Sequence, residues 1–258
     1  RYYFVGASDR QSLTTANKNT NEPTILPHVF FEKFQKGWRP KQQLRTEISA
    51  LQLDNDQDHD YARWSGVFEI AEDIPLTQGI GNYNARLMAN YYEIHSQSST
   101  ASTKLGTIAQ TNPSVSLGWR IPVAVTGFGR MAMIEPKAQV TYVGGKDRTD
   151  DIPNRDAAEY RIDEANLFLA HRYQGKDYIL PGTRVDAGVG VTANDQYLGN
   201  VAAFAGISRR LSGTPSAGLN ANQDDIYSDY VASLSMSPAG LIDIRWSGRM
   251  SSHDFTLN

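Results

Sequence analysis

The sequence feature that most restricts the fold is a two-residue alternation of apolar and polar side chains, repeated over many long segments. One example sets Trp64, Gly66, Phe68 and Ile70 against Arg63, Ser65 and Glu69. Successive side chains of an extended chain point to opposite faces, so this pattern predicts β-strands with one apolar and one polar face. No segment of useful length shows the 3.6-residue period of a helix. The sequence therefore predicts an all-β fold.

About eleven candidate strands follow from this pattern. They are residues Tyr2 to Ala7, Thr24 to Phe34, Lys41 to Leu53, Ala62 to Ala71, Asn82 to Ile94, Ser114 to Val123, Arg130 to Val143, Thr183 to Ala193, Leu198 to Arg210, Asp229 to Ser237 and Leu241 to Ser252. Many reach the ~9 to 11 residues that a tilted strand needs to cross a bilayer, whereas strands of soluble sheets average about 5 to 6. Their length favours a membrane-spanning sheet.

The links between these strands fall into two alternating classes. Long polar links are Ser8 to Pro23, His95 to Pro113, Gly144 to Gly182 and Leu211 to Ser228; tight links are Ala124 to Gly129, Asn194 to Tyr197 and Ser237 to Gly240. Such alternation is typical of outer-membrane barrels, which have short periplasmic turns and longer outside loops. Two links fit less well, since Asp54 to Tyr61 is short for an outside loop and Glu72 to Gly81 is long for a periplasmic turn. The prediction is a segment of an antiparallel transmembrane β-barrel with long extracellular loops.

A distinctive series of residues extends from the strand that ends at residue 143 into the long link between residues 144 and 182. The series is Ile134-Glu135-Pro136-Lys137-Ala138-Gln139, Ile152-Pro153-Asn154, Asp156, Asp163, Asn166-Leu167-Phe168, Arg172-Tyr173, Gly175 and Asp177. In kind and spacing it resembles the middle of the barrel domain of the LptD family of lipopolysaccharide-assembly outer-membrane proteins, most visibly the alphaproteobacterial members. The chain departs from the family pattern at Arg155 and Ala157, which replace Glu and Ser, and at Gln174 and Tyr178, which replace Pro and Arg.

The resemblance implies a location in the outer membrane of a Gram-negative cell and a role in delivering lipopolysaccharide to the outer leaflet. It implies a lipoprotein plug similar to LptE, contact with outer-membrane lipid, and periplasmic lipopolysaccharide-bridge proteins that bind a domain outside this chain. Residues 1–258 are then expected to be part of a barrel domain within a longer protein. Because such a barrel needs more than eleven strands, the sheet is expected to remain unclosed with bare edges.

The polar face of the predicted strands is rich in charge. Its cations are Arg45, Arg63, Arg86, Arg120, Lys137, Arg184, Arg245 and Arg249, and Glu47, Glu69, Glu135, Asp186 and Asp243 lie among them. In a barrel these side chains face the lumen. They either pair with one another to satisfy a polar interior or line a path for phosphorylated sugar chains, since guanidinium groups suit phosphate.

Several kinds of chemistry lack the residues that they require. The chain has no cysteine, which excludes disulfides and thiol chemistry. Its acidic loop of Asp54, Asp56, Asp58 and Asp60 does not match an EF-hand, because His59 stands where glycine is needed, so a solvated turn is favoured. The histidines form no metal-spaced pair and no nucleophile motif precedes a helix. We expect no enzyme activity, cofactor or metal, and the net charge of −3 gives no reason to expect a nucleic-acid partner.

Two other classes of protein share this strand pattern. A passive porin or receptor barrel has the same alternation without the spaced series around Asn166, Leu167 and Phe168. A soluble secreted β-sandwich buries its apolar faces between two sheets. Exposure separates a sandwich from a membrane barrel, and the diagnostic side chains are Val115, Trp119, Val189, Ile244 and Trp246.

Overall fold

The structure is a computed structural model that describes most of the chain. The described residues are 2–8, 24–54, 60–95, 105–127, 130–148, 151–152, 163–171, 175–179, 181–195, 199–213, 230–238 and 242–250. Within these ranges no helix is long and apolar enough to span a bilayer.

Twelve strands form one antiparallel sheet in the described part of the chain. They are β1 (Tyr2–Ser8), β2 (Thr24–Lys36), β3 (Gln43–Asp54), β4 (Tyr61–Leu76), β5 (Gly79–Ile94), β6 (Gly106–Arg120), β7 (Val123–Gly127), β8 (Arg130–Val143), β9 (Gly182–Asp195), β10 (Gly199–Ser212), β11 (Tyr230–Met236) and β12 (Ile244–Met250). Each strand pairs with the next along the chain, except that β6 and β7 both pair with β8. This confirms the predicted all-β antiparallel fold.

The two faces of the sheet have opposite character. Side chains on the outer face are apolar and accessible: Val115, Trp119, Val189, Ile244 and Trp246 are 43–50% exposed. The inner face is polar and covered, and Ser114, Ser116 and Thr141 lie there with almost no accessible surface. A β-sandwich would bury the apolar face, so the prediction of an outward apolar belt is confirmed and the sandwich is excluded.

The sheet is not closed into a barrel. Among the described residues β1 pairs only with β2, and β12 pairs only with β11. Both outer strands therefore present an edge of unpaired backbone groups, as expected for an incomplete barrel segment.

Short and long links alternate around the sheet more regularly than the sequence suggested. The predicted long link from Glu72 to Gly81 was wrong, because β4 and β5 continue their ladder to Leu76 and Gly79 and leave a two-residue turn. Gly79 has φ +100°, and a Cβ there would overlap the Arg120 carbonyl oxygen. Only glycine fits that conformation and that space. One edge of the sheet, the short rim, thus carries the tight turns, and the opposite edge carries the long loops.

The predicted link from His95 to Pro113 was also wrong in part, since β6 begins at Gly106. Pro113 lies inside β6, at a position where its missing N–H is harmless. Its carbonyl accepts a 2.7 Å hydrogen bond from the Gly144 N–H, so that side of the residue faces β8, where the ladder begins only at Ser114 and Val143. Proline is tolerated where a ladder ends.

The predicted tight link from Ala124 to Gly129 was also wrong in part, since it contains most of β7 (Val123–Gly127). The strand that pairs with β8 is interrupted at Ile121 and Pro122: β6 pairs with β8 up to Arg120, and β7 resumes at Val123. Pro136 of β8 lies opposite this break, and its carbonyl accepts a 3.1 Å hydrogen bond from the Ile121 N–H. Because proline has no N–H, it cannot return a hydrogen bond to the opposite strand, and the ladder is interrupted at this position.

The outward orientation of β6 leads to a test by substitution. Val115→Arg in the complete protein should lower the free energy of unfolding in lipid vesicles by about 2–4 kcal/mol, because the guanidinium would enter hydrocarbon. Denaturant titration of vesicle-inserted protein measures the change. Val115→Leu is the matched control and should unfold like the parent, whereas equal stability of the arginine variant would contradict a lipid-facing position.

Candidate functional site

Part of the link between β8 and β9 folds back across the inner face. We call its described residues, 163–171 and 175–179, the inner segment. It begins with a turn in which the Asp163 N–H donates to Asn166 Oδ1 at 2.9 Å and the Asn166 N–H donates to Asp163 Oδ1 at 3.0 Å. This reciprocal pairing satisfies backbone donors at the start of the turn and requires the two residues three positions apart. It explains the spacing of Asp163 and Asn166 in the sequence.

The turn packs two apolar side chains, the apolar anchor, against the inner face of the sheet, which we call the wall. Leu167 is fully buried and packs with Phe204 of β10 and Val231 of β11. Phe168 meets Phe204 edge to face, with ring centroids 6.3 Å apart. Space for Leu167 exists because residue 206 is glycine: a Cβ there would lie 2.5 Å from Leu167 Cδ2. Full burial of Leu167, worth about 1.5–3 kcal/mol, and partial burial of Phe168 hold this end of the inner segment.

The other end is held by a buried ion pair. Asp177 Oδ1 lies 2.6 Å from Arg63 Nη1 of β4, and the two residues are 3% and 4% exposed. The Tyr61 hydroxyl donates to Asp177 Oδ2 at 2.6 Å, and the Tyr92 hydroxyl donates to Oδ1 at 3.2 Å. A buried pair is tolerated only when further hydrogen bonds compensate the lost hydration, and the two tyrosines supply them.

Lys176 makes the complementary contact beside Asp177. Its ammonium donates to Ser49 Oγ at 2.6 Å and forms an ion pair with Glu47 of β3. Its carbonyl oxygen accepts a 2.9 Å hydrogen bond from Asn90 Nδ2. Gly175, with φ +82°, turns the chain just before these two residues. The cation and anion of the inner segment thus meet an anion and a cation on the wall, which fixes the register of docking.

Two isoleucines fill the gaps around these polar contacts. Ile152, just after the start of the link, packs in an apolar cluster with Tyr61, Tyr92 and Ile108 of the wall. Ile179 packs with Val67, Met88 and Val143. The link therefore contacts the inner face through both polar and apolar groups.

His171 is the titratable group in the middle of the inner segment. Its Nε2 lies 3.1 Å from Ser114 Oγ on β6. Burial lowers the pKa of His171 to about 3, and the nearby Arg86 and Arg184 guanidinium groups add to the shift. The imidazole is therefore neutral at physiological pH. Arg184 also donates to the carbonyl oxygens of Leu169 and Ala170, so it holds the backbone on which His171 lies.

Most of the predicted lumen cations lie beside carboxylates. Arg45 contacts three of them: Glu32 at 2.6 Å, Glu47 at 2.6 Å and Glu69 at 3.3 Å. Further pairs are Arg120 with Asp73 at 3.3 Å and with Glu135 at 3.5 Å, Lys137 with Glu135 at 2.9 Å, and Arg184 with Asp186 at 3.2 Å. Arg249 is half-buried and Arg245 is exposed, both on the edge strand β12. Pairing thus accounts for much of the charge on this face.

A cavity of about 540 Å³ lies between the inner segment and the wall. Residues Phe168 to His171 line one side, and β3, β4, β5, β6 and β8 contribute the other. Its wall is formed by Lys41, Gln43, Arg45, Glu69, Ala71, Glu72, Asp73, Asn82, Tyr83, Asn84, Arg86, Ser116 and Gln139. The volume falls within the range of about 300–1,000 Å³ that holds small ligands in proteins.

The family model described as LPS transport system D, LptD, matches residues 2–258. The chain belongs to the LptD family. A search of curated proteins gave no match. Family membership, together with the apolar outer belt, locates the chain in the outer membrane of a Gram-negative cell and assigns it to lipopolysaccharide transport and assembly. The family is one of transport proteins, with lipopolysaccharide as its substrate.

Within this LptD chain the structure brings part of the predicted series together. Asp163, Asn166, Leu167, Phe168, Gly175 and Asp177 all belong to the inner segment, and Ile152 packs beside it. Pro153, Asn154, Asp156 and Arg172 lie outside the described residues, as do Asp56 and Asp58 of the acidic loop. No group of three or more potential metal ligands is found in the described ranges.

Sequence reasoning missed four residues that hold the inner segment: Glu47, Tyr61, Tyr92 and Lys176. One signal was available. Tyr92 lies an even number of residues from Arg86 and Asn90 on β5, so it puts an aromatic ring on the polar face. A ring in that position indicates a partner that covers it.

Removing the charge at residue 177 tests the polar anchor. Asp177→Asn should leave the Arg63 guanidinium buried without its counter-charge, which costs about 3–5 kcal/mol when a buried pair loses one partner. The inner segment should then separate from the wall, and trypsin should cleave after Lys176 at least tenfold faster in the complete protein. Asp243→Asn alters an exposed carboxylate and is the matched control. Equal cleavage of all three proteins would argue against the anchor.

The lowered pKa of His171 gives a pH dependence of known sign. The docked imidazole has a pKa near 3, below the ordinary value of about 6.5, so the released segment binds a proton more readily than the docked one. Docking is therefore strongest above about pH 6.5 and weakens below it, by at most about 1.4 kcal/mol per pH unit down to the folded pKa. Hydrogen exchange of residues 163–169, corrected for intrinsic rates, should show the loss.

His171→Gln keeps a hydrogen-bonding group opposite Ser114 and should remove most of that pH dependence. His95→Gln, which alters an exposed imidazole beside β5, should leave it unchanged. A parent protein whose exchange is flat between about pH 7 and pH 5 would contradict the assignment.

Proposed function

We propose that the inner face of this sheet is the wall along which lipopolysaccharide passes to the outer leaflet, and that the inner segment gates it. The observation that carries the proposal is the docking of the family-motif residues Leu167 and Asp177 on the polar face. A polar face suits the sugar part of a glycolipid, while the apolar outer face suits its acyl chains in the bilayer. A gate requires a segment that covers the path and can leave it.

The contacts of the inner segment suit reversible docking. Its polar anchor consists of two ion pairs, Lys176 with Glu47 and Asp177 with Arg63. Water or an ionic ligand can replace the partner in each pair. Its apolar anchor is one leucine and one phenylalanine. The inner segment is not a strand of the sheet, so its release requires no unpairing of strands. The link from 144 to 181 is also long enough to move while β8 and β9 stay paired.

The partners that we propose follow from the open edges and the polar interior. Residues 1–258 form part of a barrel domain, and further strands of the same protein cover the edges at β1 and β12. A lipoprotein plug similar to LptE occupies the remaining lumen. Periplasmic bridge proteins supply lipopolysaccharide through a domain outside this chain. The proposed role is transport, and it requires no bond-breaking step within the barrel.

Tethering the inner segment tests the gate. The Ser233 hydroxyl of β11 donates to a Glu164 carboxylate oxygen, and the chain has no cysteine, so Glu164→Cys with Ser233→Cys can be joined by a short bismaleimide in the complete protein. Joining should reduce the arrival of newly made lipopolysaccharide at the cell surface several-fold, since the segment could no longer leave the wall. Surface labelling with pulse-chase measures the arrival.

Asn194→Cys with Asn200→Cys is the matched control. Those two side chains are hydrogen-bonded at 2.8 Å across the β9–β10 turn, so the same reagent joins neighbours that already move together, and export should be unaffected. Single-cysteine variants control for modification alone. Normal export with a fully tethered segment would disprove the gate.

A further inference from the structure

One inner-face cation differs from those that pair with carboxylates. The Arg86 guanidinium on β5 lies on the cavity wall, and among the described residues no carboxylate oxygen lies within ion-pair distance of it. The contact of its Nη2 is the Met88 sulfur at 3.6 Å. Its Nε is buried and has no hydrogen-bond acceptor in the described part of the chain.

No neighbouring carboxylate contacts this charge. Glu69 and Glu47 attract it from a distance, but Glu69 is bonded to Arg45 and Asn84, and Glu47 is paired with Arg45 and Lys176. His171, on the opposite side of the cavity, is neutral and offers no negative charge. A partly buried cation without a counter-ion is costly, and that cost is recovered when an anion binds.

The other acidic groups at the cavity are engaged as well. Glu72 accepts a 2.9 Å hydrogen bond from Tyr83 and lies 3.6 Å from Arg39. Asp73 lies 3.3 Å from Arg120. With these carboxylates paired, the positive charge left facing the cavity is that of Arg86, while Lys41 lies toward the short rim and is exposed.

The rest of the lining suits the hydroxyl groups of a sugar. Asn82, Asn84, Ser116 and Gln139 bring neutral amide and hydroxyl groups to the wall, and Tyr83 adds an aromatic ring. A bare inorganic ion would not fill about 540 Å³, whereas sugar units attached to an anion would occupy it. Guanidinium groups bind phosphate and carboxylate oxygens in pairs, with short charge-assisted hydrogen bonds.

We propose that Arg86 and this cavity form an anion subsite that binds a phosphate or carboxylate group carried on a sugar. The inference deepens the proposed function, because the glycolipid cargo is one source of such a group; a free sugar phosphate is the other. In either case Arg86 provides the charge, the amide and hydroxyl groups contact the sugar, and the inner segment closes over the bound group.

Binding to the purified complete protein is the first test. Glucose 1-phosphate, and the oligosaccharide released from lipopolysaccharide with and without phosphatase treatment, are titrated by calorimetry. The phosphorylated probes should bind, and Arg86→Gln should weaken them about 10- to 100-fold, as expected when a charged hydrogen-bonding pair is lost. Arg86→Lys should recover part of the affinity. Lys36→Gln removes one exposed cation from the end of β2, outside the cavity lining, and should bind like the parent.

Each outcome has a consequence. If Arg86→Gln binds the probes as tightly as the parent, the subsite is overturned. If binding that depends on Arg86 is lost after phosphatase treatment, phosphate is the bound group, and if it persists, carboxylate is. Preference for the released oligosaccharide over glucose 1-phosphate identifies the cargo as the source, and the reverse preference identifies a free sugar phosphate. Resistance of the variant to detergent-induced unfolding must match that of the parent, and Arg86→Lys decides the matter if Arg86→Gln does not fold.

A photo-crosslinking residue in place of Leu169, at the cavity wall, provides a test in cells. Its adduct with lipopolysaccharide should fall several-fold in Arg86→Gln and stay unchanged in Lys36→Gln. If both variants give the same amount of adduct while tethering of the inner segment blocks export, the subsite is overturned and the gate is left intact. If calorimetry shows binding that depends on Arg86 while tethering in cells does not affect export, the subsite is supported and the gate is overturned.

Discussion

The structure depends on the need to satisfy every backbone polar group in a wall that faces hydrocarbon. A sheet meets that need only if each strand pairs with its neighbours, and the ladder from β1 to β12 does so along most of its length. The same requirement fixes the direction of the side chains, because Trp64 and Val115 can be exposed only where the solvent is apolar. Everything polar is then directed to the other face.

That sorting creates a polar surface that one segment of the chain can cover. Arg63 and Glu47 are separated from bulk solvent, and each would be costly to bury alone. The inner segment brings Asp177 and Lys176, whose charges are opposite to those of the two wall residues that they meet. The pairing is specific because exchanging the two residues would put like charges together. Leu167 adds an apolar contact that sets the position of the segment along the wall.

Much of this could be predicted from the sequence, because strand alternation is a local property. The faces of β8 and β9 follow directly from the order of residues such as Val140 and Thr141, or Val189 and Gly188. The start of β6 was misplaced for the opposite reason: whether Pro113 can lie inside a strand depends on where the neighbouring ladder begins, and this is not a local property. The partners of Asp177 were unpredictable in the same way, since Tyr61 and Arg63 lie more than a hundred residues away along the chain. Membership of a family supplied the function that pattern alone left open.

Pro136 has a consequence for the strand that it faces. It lies opposite Ile121 and accepts one hydrogen bond from the Ile121 N–H, but proline has no hydrogen to donate in return. In a wall bathed by lipid, water cannot take the place of that hydrogen. The imino acid therefore limits this antiparallel pair to a single hydrogen bond, at the position where the ladder on β8 passes from β6 to β7.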